Sequence, residues 1–159
     1  MIKIKIISVG KIKEKSLQSL IDEYVKRLGR YAKTDIVEIN DLSVPDNPSE
    51  SEILSVIERE GKEILKNISP RSMVISLCIE GNKYDSEKFA NLISKSQNTY
   101  SELTFIIGSS HGLSGEVKGS SNLKISMSDM TFPHNIAKLM LVEQVYRAFK
   151  IINNESYHK

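Results

Sequence analysis

Residues 102–113, ELTFIIGSSHGL, decide how this chain is read. An apolar run rich in aromatic and β-branched residues stops at Gly108, and small polar residues lead on to Gly112. A short continuous apolar run bounded by glycine is the pattern of a strand buried on both faces, the kind found in parallel sheets. Backbone amides just beyond such a strand can come close to a ligand, because glycine and small residues leave them uncovered. Taken alone, the stretch reads equally well as glycines that only turn the chain. It carries neither the G-x-G-x-x-G fingerprint nor the Gly-Lys-Ser/Thr of a Walker loop.

Outward from this stretch, strands alternate with helices. The opening IKIKIISV predicts a strand, and SLQSLIDEYVKRL places Leu17, Leu20, Ile21, Tyr24, Val25 and Leu28 at helical spacing before Gly29. TDIVEIN reads as a second strand and DLSVPDNP as a loop. Ser49 and Glu52 then have the spacing of a capping box ahead of a helix that Pro70 closes. MVISLCI, ELTFIIG and LKISMS read as three more strands, DSEKFANLISKS as a helix between the first two, and the segment from Pro133 as the closing helix. This order predicts an α/β fold: a mostly parallel sheet with helices on both faces, in one domain spanning residues 1–159. In such sheets ligands bind beyond the carboxyl ends of the strands, which singles out the loops EGNKYD, GSSHGL and MSDMTFPH.

Bulk properties exclude several classes. The 159 residues suffice for one core that buries roughly two-thirds of the unfolded surface. With 40% hydrophobic and 26% charged residues, the chain is neither disordered nor membrane-spanning in composition. The N-terminus alternates Lys with Ile and lacks a signal-peptide core, so a cytoplasmic protein without membrane attachment is expected. The net charge of +2 does not by itself announce nucleic-acid binding. The single cysteine, Cys78, lies in an apolar run and is expected to be a small buried hydrophobe. His111, His134 and His158 share no metal-ligand spacing, so no metal site is expected.

The closing helix carries further candidates. Pro133 suits a helix start, and His134 behind it meets the positive end of the helix dipole, which favours a neutral ring able to accept a proton. A plain surface histidine in a first turn is the competing reading. Val142, Val145, Phe149 and Ile152 form an apolar stripe that Ile136, Leu139 and Met140 widen, enough to pack against more than one element. Glu143 and Arg147 stand one turn apart in the favourable order for an ion pair. The tail ends Tyr157-His158-Lys159, an aromatic, an imidazole and a cation that suit stacking on a base and contact with phosphate.

These residues resemble the RlmH family, the SPOUT-class ribosomal RNA large subunit methyltransferases H, which act on N3 of pseudouridine in 23S rRNA. ISVGKIKEK, EYVKRL, ISLCIEG, FIIGSSHGL, SMSDMTFPH, LVEQVYRAFKI and the terminal YHK carry the resemblance over essentially the whole chain. It implies a SPOUT-type fold with a C-terminal trefoil knot and S-adenosylmethionine held against Leu77, Gly108 and the run Met127, Ser128, Asp129, Met130, Thr131 and Phe132. It implies catalytic positions for His134 and Tyr157 near the transferred methyl group, and substrate contacts from Glu143, Arg147, His158 and Lys159. It also implies a homodimer whose tail completes the partner's site, acting on 23S rRNA within the large subunit or assembled ribosome. Lys138, Lys150 and the basic set Lys11, Lys13 and Lys15 are expected to join Arg147 and Lys159 on phosphates. Two positions depart from the family pattern: Ser109, where a second glycine is common, and Lys159, where an arginine stands in some relatives. The rival readings are a noncatalytic RNA- or ribosome-binding module and a flavodoxin-like or Rossmann enzyme, the latter disfavoured by the missing glycine fingerprint.

Overall fold

In the computed structural model, which describes residues 1–159, five parallel strands form one sheet in the order β2-β1-β4-β3-β5. The strands are β1 (Ile2–Val9), β2 (Ala32–Ile39), β3 (Ser72–Lys83), β4 (Glu102–Ile107) and β5 (Leu123–Ser126). The helices are α1 (Lys15–Leu28), α2 (Glu50–Lys66), α3 (Ser86–Ser96), α4 (Gly115–Gly119) and α5 (His134–Ile152). The stretch that decided the reading, β4, is buried along its whole length between β1 and β3.

Alternation along the strands builds two cores, one on each face. Ile4 and Ile6 of β1 with Leu103, Phe105 and Ile107 of β4 meet α1, α3 and α5. Ile7, Val9 and Ile106 point the other way, toward Ile64 of α2 and Val117 of α4. Helices on both faces of a parallel sheet are thus what the alternating pattern predicted. Cys78 packs in the second core as a free, buried thiol whose pKa burial pushes up, away from the thiolate form.

Lys5 of β1 does not face solvent. Lys5 is buried, and its Nζ donates to the Asn67 carbonyl at 3.0 Å and to the Ser69 hydroxyl at 3.2 Å, so a cation closes the C-terminal end of α2. Ser49 and Glu52 form the expected capping box on α2. Pro133 takes the N-cap position of α5 with extended backbone, and its carbonyl accepts the Ala137 amide at 2.9 Å.

Two expectations need correction, and one helix was not predicted. Strand β3 does not end at Ile79. It resumes pairing with β5 after a register shift between Leu77 and Asn82, and an added Cβ on Gly81 would lie 2.6 Å from the Ile125 backbone. The residues read as the loop EGNKYD are therefore partly strand, held against β5 by a close approach that apolar periodicity does not encode. Helix α4 is too short to give a periodic signal, although Ser114 caps it. Finally, Lys138 does not reach a phosphate, because it is 1% exposed and paired with Glu38.

Candidate active site

The strands are parallel, so their carboxyl ends gather at one edge of the sheet, and there a cavity of about 750 Å³ opens. It is lined by Leu77 of β3, by Gly108 to Leu113 after β4, by Met127, Ser128, Met130, Thr131 and Phe132 after β5, and by His134. Of the cofactor positions expected from sequence, only Asp129 stands outside this lining. Its carboxylate is exposed and pairs with Lys83 on β3, a contact that ties the 127–132 segment down from outside.

Backbone geometry makes the wall suited to a polar ligand. A Cβ on Gly108 would lie 2.7 Å from the Gly112 carbonyl oxygen and 2.9 Å from Leu113, so only glycine lets the turn close. Gly112 itself has φ +92°. The amides of Gly108, Ser110, Met127, Ser128, Thr131 and Phe132, all residues of the cavity lining, make no backbone hydrogen bond. Donors and apolar side chains together suit a small-molecule ligand with both polar and apolar parts.

Behind the loop stands Glu60 of α2, 3% exposed, which no sequence reading picked out. Its Oε1 accepts the Ser109 hydroxyl at 3.0 Å and its Oε2 accepts the Leu42 amide at 3.1 Å. Ser109 thus anchors the loop to α2 and does not obstruct it. A signal existed: Val56, Glu60 and Ile64 share one helical stripe, so a carboxylate sits where an apolar residue belongs. Lys138 gives the same signal on the stripe of Leu141, Val142 and Val145.

His134 lies at the cavity edge with Nε2 buried against Gly10 and without a hydrogen-bond partner. Tyr157 is elsewhere. Its hydroxyl donates to Glu143 Oε1 at 3.0 Å, and its ring packs edge-on against Tyr146 and under the Arg147 guanidinium. Glu143 is nine residues beyond His134, about 14 Å of helix rise, so one chain does not bring Tyr157 to His134. Burial, followed by the hydrogen bonds with Tyr24 and Glu143, holds the Tyr157 phenol well above its ordinary pKa. The Glu143–Arg147 pair is formed at 2.6 Å and raises the guanidinium further above its usual value.

His158 stands 3.3 Å from Arg147 Nη1 and lines a neighbouring hollow of about 560 Å³ that shares Ser126 and Met127 with the first cavity. Lys159 is exposed. Lys150 is tied to Glu155 on the α1 side of α5. No group of three or more His, Cys, Asp or Glu is placed to hold a metal ion, and no helix is long and apolar enough to cross a membrane.

A parallel α/β sheet with a glycine-walled cavity beyond its strand ends is the arrangement in which α/β proteins bind small-molecule ligands. The family model described as "Predicted SPOUT methyltransferase" matches residues 2–158, and the chain belongs to that family. It is 48% identical over 158 residues to the ribosomal RNA large subunit methyltransferase H of Streptococcus thermophilus, covering 99% of each chain. It is 50% identical over 157 residues to the protein of the same name from Clostridium tetani, covering 98% of this chain and 99% of the relative. A solved structure described as a probable methylase family protein from Haemophilus influenzae aligns with a TM-score of 0.56 at 15% identity, over 100% of this chain and 72% of that one, which shows a shared fold.

Proposed function

We propose that this methyltransferase moves a methyl group from S-adenosylmethionine to N3 of a pseudouridine in 23S rRNA, on the large subunit or assembled ribosome. The observation that carries the reading is the match, over nearly the full length, to relatives named ribosomal RNA large subunit methyltransferase H, coinciding with a cavity that collects Leu77, Gly108, Met127, Ser128, Met130 to Phe132 and His134. S-adenosylmethionine supplies an activated methyl group on a sulfonium. The free amides at Gly108 and Met127 would hold its polar part, and Leu77 and Phe132 its apolar surface. The trefoil knot implied by the resemblance would keep the three loops in register around it.

The chain's remaining task is to align the base and take the N3 proton. His134, at the cavity edge beside the helix N-terminus, is the acceptor in this reading. Tyr157 keeps its proton, since its phenol is held above its ordinary pKa, and so orients the base as a donor. For Tyr157 to reach the methyl group it must come from a second copy. The apolar surface around the cavity mouth supports a homodimer: Met130 is 74% and Ile79 58% exposed, while Ile136, Leu139 and Met140 on α5 are half-buried. Arg147, Glu143, His158 and Lys159 would then face the RNA from the partner side.

The test is transfer of labelled methyl from S-adenosylmethionine to intact ribosomes and, in parallel, to naked 23S rRNA. The expected result is label on ribosomes that maps to a pseudouridine. Cofactor binding with no label on either substrate overturns the substrate; RNA binding without any cofactor affinity returns the chain to a noncatalytic module.

A further inference from the structure

The first turn of α5 is fastened to the segment that follows β1. At Gly10, with φ +99°, a Cβ would lie 2.7 Å from His134 Nε2 and 3.1 Å from Cε1, so the imidazole edge rests on the glycine. Asn135 donates to Glu14 at 3.4 Å. One turn on, Lys138 Nζ meets Glu38 Oε2 at 3.1 Å, and the same oxygen accepts the Ile12 amide at 3.4 Å.

The lysine is the anomaly. Lys138 is 1% exposed while its partner keeps 31% of its side-chain surface, so the ammonium bears nearly all the desolvation. An apolar residue would fill the same stripe without that penalty, and buried pairs are poor sources of stability. What an apolar residue would not do is hold Glu38, and through it Ile12 and the floor under the imidazole, in one place. We infer that Gly10, Glu38 and Lys138 form a seat for the His134 ring and are positioning residues for methyl transfer. Residues 10–14 also carry exposed Lys11 and Lys13, so the segment that sets the imidazole has cations free to meet a phosphate backbone.

The kinetic arm of the test rests on the proposed reaction; the stability arm does not. Lys138→Met and Glu38→Ala should lower kcat on the order of ten- to a hundredfold, as small misplacements of reacting groups do. Their affinity for S-adenosylmethionine should remain near that of the parent. Glu38→Gln keeps an acceptor for both Lys138 and the Ile12 amide and should retain most of the rate. Independently, Gly10→Ala should lower the urea midpoint more in the parent than in a His134→Ala background, because the backbone strain is common to both and only the parent holds the ring. Unchanged kcat in folded Glu38→Ala and Lys138→Met, or equal midpoint shifts in both backgrounds, would overturn the seat. If Lys138→Met does not fold, the Glu38 pair and the stability cycle decide. A parent chain that binds cofactor but transfers no methyl counts against the reaction, and the cycle then decides the seat alone.

Discussion

Glu60 Oε1 and the Ser109 hydroxyl lie 3.0 Å apart, joining the middle of α2 to the first residue of the cavity loop after Gly108. Glu60 is 3% exposed while Ser109 is half-buried at the cavity, and a buried carboxylate that loses a donor keeps its desolvation cost. Ser109→Gly, which restores the glycine common in the resembled family, should therefore lower stability by about 1–3 kcal/mol in urea denaturation. An unchanged midpoint would show that the bond contributes nothing.

The neighbouring glycine makes a sharper prediction about the cavity. A methyl group on Gly108 would meet the Gly112 carbonyl oxygen at 2.7 Å, and backbone cannot step aside as a side-chain tip can. Gly108→Ala should weaken S-adenosylmethionine binding by about tenfold or more, roughly 1.4 kcal/mol. Gly119→Ala is the control, because nothing lies within 4 Å of its added carbon. Calorimetric titration of both variants checks the pair, and equal affinities would remove the loop from the binding site.

How much of this the sequence disclosed depends on the range of the interaction. The strand and helix order was legible because apolar periodicity is local, and the cavity loops followed from the rule that ligands meet parallel sheets at the strand ends. The continuation of β3 past Ile79 was not, because it depends on Gly81 lying against the backbone of β5, more than forty residues on. The roles of Glu60 and Lys138 were hidden for a related reason. A charge on an apolar stripe reads as a flaw until its partners, Ser109 and Glu38, arrive from other elements. Tyr157 and His134 were joined by resemblance alone; in one chain His134 opens α5, while Tyr157, in the tail beyond that helix, bonds to Glu143 nine residues farther along it.

Stability should depend on pH through Glu102. Desolvation pushes its carboxyl upward, but hydrogen bonds from Ser69 and Lys3, the Lys5 charge and Thr104 outweigh this and hold it below the ordinary glutamate range. A group with a depressed folded-state pKa binds fewer protons folded than unfolded. Its contribution is therefore complete above the ordinary value of about 4.3 and is lost as pH falls through the lower folded value. Glu102→Gln should be less stable than the parent at neutral pH, with the gap closing below about pH 4.3. A gap independent of pH in urea midpoints would contradict the assignment.

Tyr157 is a donor in this site and not a base. Tyr157→Phe keeps the ring against Tyr146 but removes the bond to Glu143, so stability should drop by about 0.5–1.5 kcal/mol. The rate of methyl transfer should fall, while the pH–rate profile keeps its shape up to about pH 10, the ordinary phenol value. Loss of a limb from the profile on this substitution would make Tyr157 a proton acceptor after all.

Lys11, Lys13 and Lys15 are exposed around the carboxyl end of β1, at the same edge of the sheet as the cavity, whereas Lys138 is buried and Lys150 is tied to Glu155. Of these five lysines, the first three are free to displace counterions from a phosphate backbone, as is Lys159 at the other end of the chain. Each phosphate neutralised contributes about 0.7 to 0.9 to the slope of log K against log salt concentration. Replacing all three with Ala should therefore reduce the magnitude of that slope by about 2 to 3 in RNA-binding titrations. Lys138→Met should leave the slope alone even as it slows transfer. This contrast separates a lysine that meets RNA from one that seats the imidazole. Equal slopes for the triple variant and the parent would move the RNA footprint away from the segment after β1.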